Sequence, residues 1–341
     1  MRKYLIIILF LFFLCSINDT KAMPSYDIAA ILDFSGHYRD YGVEAKQGIE
    51  LALKEADNIK VDFFDSKAES DIALDHFNKL NNTSAVVTFT SWVSNAIAPV
   101  SAKKNMMQFV IASAVFNYDA LPLCIRFTVD VKAEVEFLAG YLQRYERIGI
   151  IYADNEYGTG WKDSLLEALG AKVVSVESYQ DTTADFTAPL SNIESAHPEA
   201  IALISFGEAA AIVRQAVKMG ITAQLIGTRP ILTKELLAEP LSEGLIFSYP
   251  ALDERHPFYS GFEKAYGVSS SAFGAEGYDL IISLAQAVNE KGTKPDDIAA
   301  WYKNRSYKGA LGQIQFDEHC LAKYDFSLKQ IQKGKIVSYA P

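Results

Sequence analysis

Apolar positions are arranged along the chain in two alternating ways. Short apolar runs fall at 27–34 (DIAAILDF), 61–66, 85–90, 108–113 and 124–129, and a second series falls at 147–153, 172–179, 200–206, 224–228 and 244–250. Runs of this length predict strands. The longer stretches between them, such as 42–57 and 208–220, are amphipathic and predict helices, the second of which closes on Gly220. Strand and helix in strict alternation are the pattern of βα units on parallel sheets, so the fold class is α/β. After residue 250 the pattern changes to consecutive helices (HPFYSGFEKAYG, FGAEGYDLIISLAQAVNEKG, KPDDIAAWYKN) and then a hairpin ending in LGQIQFD. These helices need a sheet to cover. They are expected to return to the first sheet, with a last strand near YDFSLKQIQ crossing back to the second.

The two strand series open alike. Asp33 at the end of a strand is followed by a polar turn and Tyr41-Gly42, and Asp154 by a polar turn and Tyr157-Gly158. The repetition predicts two lobes of similar topology, each a doubly wound Rossmann-like sheet. A length of 341 residues points the same way, because it exceeds what one hydrophobic core supports. The second opening, NEYGTGWKDSL, invites comparison with a dinucleotide-binding turn. There the third glycine of the fingerprint falls at Asp163, whose carboxylate would repel phosphate in the first turn of the helix.

Arg2 and Lys3 precede an apolar run from Tyr4 to Ile17, and Thr20-Lys21-Ala22 offers small residues for cleavage, so residues 1–22 read as a secretory signal peptide. The run is shorter than the roughly 20 residues of a membrane-spanning helix. Cys15 follows the bulky Leu14, which does not suit the bacterial lipidation pattern. An exported protein without stable membrane insertion is expected, in the periplasm. Its net charge of −10 becomes more negative once the leader is removed, which argues against nucleic-acid partners. Cys124 and Cys320 remain, either as one bridge or as two buried thiols. The sequence holds no HExxH, Walker loop, GxSxG elbow or CxxC pair, and its five histidines share no metal-ligand spacing. No cofactor, metal or enzymatic activity is expected.

In order along the chain come YGVEAKQGIELAL, TSWVSNAIAPVS, NEYGTGW, SFGEAAAIVRQAVKMG, AFGAEGYDLIISLAQAV and GALGQIQFDEH. Taken together they resemble the periplasmic solute-binding proteins of the branched-chain amino-acid class, which have the type I periplasmic binding protein fold and feed ABC transporters. The resemblance implies two lobes joined by three crossing strands and closing on a small molecule. It places lobe 1 at 23–128 plus 253–325 and lobe 2 at 129–252 plus 326–341. It also implies a monomer that hands its ligand to an ABC transporter permease.

By the same resemblance Ser91 and Ser113 match places where relatives hold the α-carboxylate of an amino acid, although Ser91 also suits a helix N-cap. Tyr41, Tyr157 and Phe273 match contact positions, and Trp92 and Phe206 join them as aromatics at strand ends, where core packing is the alternative. Two positions depart from the amino-acid pattern. Val115 stands where relatives carry a threonine, and Arg229, in GTRP, where they carry the acid that receives the ammonium group. A guanidinium cannot accept a hydrogen bond and suits a carboxylate instead. The implied ligand is then an acid without a free ammonium, aromatic or branched. Arg229 could otherwise pair inside the protein with Glu235, Glu239 or Glu243, or with Glu208. A ligand-sensing subunit for a membrane receptor is the alternative function. An exported enzyme using Asp33, His37 and Asp154 comes third.

Overall fold

The computed structural model describes residues 25–111, 121–128 and 131–340. The signal peptide, Ser113 and Val115 lie outside the described residues. The first sheet is built from β1 (Tyr26–Leu32), β2 (Ile59–Asp65), β3 (Ala85–Phe89), β4 (Met107–Ile111) and β5 (Cys124–Arg126), in the order β2-β1-β3-β4-β5. All its pairs are parallel, with Ile28 facing Val61 on one side and Ala85 on the other. Helices α1 (Arg39–Ala52), α2 (Ser70–Lys79) and α3 (Ser91–Lys103) connect these strands.

Helix α4 (Val131–Leu142) leads into the second sheet, whose parallel part comprises β6 (Ile148–Ala153), β7 (Val173–Tyr179), β8 (Ala200–Ile204), β9 (Gln224–Gly227) and β10 (Ile246–Pro250). Helices α5 (Glu156–Leu169), α6 (Thr187–Ser195), α7 (Ala209–Lys218) and α8 (Lys234–Ala238) connect them. The amphipathic reading of α7 has a direct physical outcome: Ala209, Ala210, Ile212, Val213 and Ala216 are buried on one face.

The helical run after β10 forms α9 (Pro257–Tyr266), α10 (Ala272–Lys291) and α11 (Pro295–Tyr302). Helix α10 packs along α1 and against β4, and α11 against β5, so these helices do cover the first sheet. A small antiparallel sheet follows, β11 (Ser306–Gly309), β12 (Gly312–Phe316) and β13 (Ala322–Lys323). The chain then crosses back, and β14 (Phe326–Gln332) and β15 (Lys335–Ser338) extend the second sheet as β15-β14-β10-β9-β8-β6-β7. Both new pairings are antiparallel. The chain therefore passes between two lobes three times, after β5, after β10 and after β13. Cys124 and Cys320 are buried free thiols, which settles the choice left open by the sequence.

Candidate functional site

The two sheets repeat one topology. In each, the strand order reverses beside the strand that opens the lobe: β1 lies between β2 and β3, and β6 between β7 and β8. In open α/β sheets the crevice beyond the carboxyl ends of the strands at such a switch point receives ligands. Here the two crevices face each other, and the Tyr-Gly repeat sits in both. A Cβ on Gly42 would lie 2.0 Å from the carbonyl oxygen of Asp33, and one on Gly158 would lie 1.9 Å from that of Ala153. Only glycine lets each helix press so closely against the end of its strand. The preceding residues, Tyr41 and Tyr157, are thereby held at the cleft. Asn155 completes the second turn by capping α5 through the N–H of Gly158 at 3.0 Å.

Between the lobes lies a cavity with about 400 Å³ of empty space, its open mouth included. Tyr41, Ser91, Trp92, Tyr157, Phe206, Arg229 and Phe273 all line it, together with Tyr38, Phe89, Thr90, Ile111 and Pro230. The wall is mostly aromatic. Tyr38 lies 5.0 Å from Trp92 and 4.9 Å from Phe206 between ring centroids, Tyr157 5.0 Å from Phe206, and Tyr41 5.2 Å from Phe273. Burial pushes the Tyr41 and Tyr157 hydroxyls well above the ordinary range, so both are neutral hydroxyls.

Thr90 holds a φ of 56° in the cavity wall, a left-handed conformation that is costly for a β-branched side chain. It is the N-cap position of α3, and no side chain caps that helix. Ser91 is thus the first residue of the helix and not its cap. The uncapped N–H groups and the positive end of α3 favour negative charge at this wall.

Arg229 follows β9 in a 3-10 turn, Arg229–Ile231, and is the one charged residue among the described lining of the cavity. Its Nη1 donates to Glu276 Oε1 at 2.5 Å, Nη2 reaches Thr128 Oγ1 at 3.5 Å, and the guanidinium stacks 4.3 Å from the centre of the Phe273 ring. Burial, the largest single influence, would lower its pKa, but Glu276, Tyr324 and Glu134 together more than offset this and the net shift is upward. The internal partners suggested by the sequence are engaged elsewhere. Glu235 and Glu239 pair with Arg214, Glu243 accepts the Lys333 N–H, and Glu208 faces His37. Glu276 also accepts a hydrogen bond from Tyr324 at 3.1 Å.

Within the cleft and around its mouth the lobes touch through polar contacts. Tyr41 donates to the carbonyl of Pro230 at 2.7 Å, Tyr38 to Asp181 Oδ2 at 2.6 Å, and Asn95 to Glu156 Oε2 at 2.6 Å. His37 Nε2 lies 2.5 Å from Glu208 Oε1, and this contact raises the His37 pKa against the opposing effect of burial. These contacts hold the cleft closed. Asp33 is buried, bonded to Ser66 and pushed up to about 6 by burial, while Asp154 is exposed and accepts from Gln180 at 2.8 Å. None of Asp33, His37 and Asp154 lines the cavity.

Tyr38, Thr90 and Glu276 escaped the sequence reading. Tyr38 carried a signal, since it lies three residues before Tyr41 and shares its side of the turn. Glu276 carried none, because AEGYDL reads as helix interior.

The sequence pattern of the family described as periplasmic binding protein matches residues 25–335. No curated protein sequence matches the chain. Among solved structures, an extracellular ligand binding receptor from Desulfohalobium retbaense is 35% identical with a TM-score of 0.88, covering 92% of this chain. The chain spans 59% of that receptor's length. A leucine binding protein from Thermotoga maritima is 23% identical with a TM-score of 0.85, covering 92% of this chain and 98% of that one. A solute binding protein of an ABC transporter from Rhodopseudomonas palustris, in complex with 3,4-dihydroxybenzoic acid, is 16% identical with a TM-score of 0.83, covering 93% and 96%. These last two show the shared fold alone. The chain thus belongs to the periplasmic binding protein family, whose members are extracytoplasmic solute-binding proteins of the type I two-lobed fold.

Proposed function

We propose that the protein is an exported, monomeric receptor that closes lobe 1 (23–128 plus 253–325) and lobe 2 (129–252 plus 326–341) on a small organic acid lacking a free ammonium group. It then delivers that acid to an ABC transporter permease. The observation that carries the ligand class is the wall itself: among the described residues, Arg229 is its one charged side chain and no carboxylate lines it. An α-amino acid would leave its ammonium without an anionic acceptor in a closed, mostly aromatic site, and an unpaired buried charge costs several kcal/mol. A carboxylate meets the guanidinium edge not used by Glu276 and the uncapped start of α3. The rings on both sides suit a flat or branched apolar body. The dihydroxybenzoic acid in the Rhodopseudomonas palustris protein is a ligand of that chemistry.

The test is thermal unfolding of the ligand-stripped protein against amino acids, each paired with its deaminated acid. At about 1,000 times the dissociation constant a binder adds roughly 4 kcal/mol and raises the midpoint by several degrees. Acids are expected to stabilise and their amino counterparts not. Stabilisation by ordinary amino acids alone would overturn the acid reading. A ligand-sensing role is the second reading, supported by the description of the Desulfohalobium relative as a receptor. Stimulation of a permease's ATPase by the loaded protein separates the two.

A further inference from the structure

Behind the Phe273 side of the cavity, where the chain crosses between the lobes, lies a buried cluster with two carboxyls and one guanidinium. Glu276 from α10 and Glu134 from α4 are 0% and 1% exposed, and Arg229 is 3% exposed. Glu134 accepts from Ser248 Oγ on β10 at 2.6 Å and from the backbone N–H of Arg229 itself. Glu276 Oε1 takes both Arg229 and Tyr324, while its Oε2 is buried with no hydrogen-bond partner. Among the described residues, the other titratable groups facing Glu134 are the hydroxyls of Tyr157 from α5 and Tyr324 before β14, both held neutral by burial. Among the described residues the cluster therefore has one more acid than base.

Resting on the acid reading of the cavity, we propose that binding of a carboxylate at Arg229 is coupled to uptake of one proton from solvent by Glu134. A ligand carboxylate would bring a third negative charge to a single guanidinium in a site closed to water, where charges interact strongly. The incoming proton converts Glu134 to a neutral carboxylic acid, which keeps its Ser248 contact. The Arg229–Glu276 pair and the new Arg229–ligand contact are then left balanced. Burial, partly opposed by Arg229, already pushes Glu134 up to about 7, and protonating it leaves the Arg229–Glu276 ion pair in place. The receptor would carry its acid together with a proton. Affinity would fall as pH rises above this value, by up to about tenfold per pH unit.

The experiment is titration calorimetry with benzoate and 4-methylpentanoate at two pH values, each in two buffers of different ionisation enthalpy. Uptake is expected to be small near pH 6, where Glu134 is already protonated, and to approach about one proton near pH 8. Ligand-induced infrared difference spectra at the higher pH should gain a protonated-carboxyl band, which histidine protonation cannot produce. In Glu134→Gln the band and most of the buffer dependence should vanish. Equal heats in both buffers near pH 8, or a band that persists in Glu134→Gln, would overturn the coupling while leaving acid binding intact. Absence of binding heat with every acid would overturn the coupling and the acid reading together. The wild-type measurements stand alone if the variant does not fold.

Discussion

The floor and the rim of the cleft each join the lobes through a charged pair at the same separation, 2.5 Å, in very different surroundings. At the floor the Arg229 and Glu276 side chains are 4% and 0% exposed; at the rim those of His37 and Glu208 are 37% and 6% exposed. Distance alone would rank the two equally. Solvent decides otherwise, since the floor pair has no water to replace a lost partner and the rim pair does. If the cleft closes on its ligand as proposed, the floor is a fixed element of the fold and the rim a contact made on closure.

The largest effect should come from breaking the floor on one side. Glu276→Ala leaves Arg229 buried without its carboxylate and should cost about 3–5 kcal/mol, lowering the unfolding midpoint by roughly 10 °C. Arg229→Met combined with Glu276→Leu, which removes both charges and keeps much of the volume, should recover most of that loss. Thermal unfolding of both variants checks the comparison. A loss below about 1 kcal/mol in Glu276→Ala would put the floor in the same class as the rim.

The middle of the cleft carries a neutral contact. Tyr41 reaches the Pro230 carbonyl across the lobes from a ring that is itself buried. Tyr41→Phe keeps the ring and removes only this hydrogen bond, worth about 0.5–1.5 kcal/mol. In the open protein the phenol and the carbonyl bond to water, so the loss should appear in closure and not in folding. A roughly three- to tenfold weaker affinity for an acid ligand is expected, with the unfolding midpoint of the empty protein little changed. A large drop in that midpoint with unaltered affinity would instead make Tyr41 part of the fold, like the floor.

The same contrast explains what could be read from the sequence. The ten parallel strands of the two sheets are visible in the sequence, because apolar runs bounded by polar turns are local, and the observed ends differ from the expected ones by at most three residues, as at 124–129 against Cys124–Arg126; the edge strand β15 (Lys335–Ser338) is not. The Tyr-Gly repeat gave Tyr41 and Tyr157 for a steric reason that is also local, the contact of each glycine with a strand carbonyl. Arg229 stands out because the resemblance places an acidic residue at its position. Its partner does not. Glu276 is brought to it only when α10 folds back on α1, 47 positions further along the chain, and no periodicity encodes that meeting. The same holds for Glu134 beneath Arg229 and for Glu208 opposite His37.

The smallest effect, and the one that sharpens the comparison most, lies at the rim. Contact with Glu208 raises the His37 pKa in the closed protein, while in the open protein the ring returns toward its ordinary value near 6.5. Closure is therefore favoured fully below pH 6.5, and the benefit disappears as pH rises through the raised value. Because His37 is more than a third exposed, solvent screening limits the pair to about 1 kcal/mol or less. His37→Asn should weaken acid binding at pH 6 by no more than about fivefold and leave binding at pH 8.5 unchanged. The floor also titrates in this range, so pH alone does not separate the two, but salt does. Raising ionic strength from about 0.01 to 1 M shortens the screening length from about 30 to 3 Å, which suppresses an interaction at the solvent boundary far more than one enclosed by protein. The His37-dependent part of the affinity at pH 6 should shrink with added salt, and the fall in affinity between pH 6 and pH 8 that Glu134→Gln abolishes should persist. If salt erased both equally, the floor would have to be open to water, and the distinction between fixed floor and closing rim would fail.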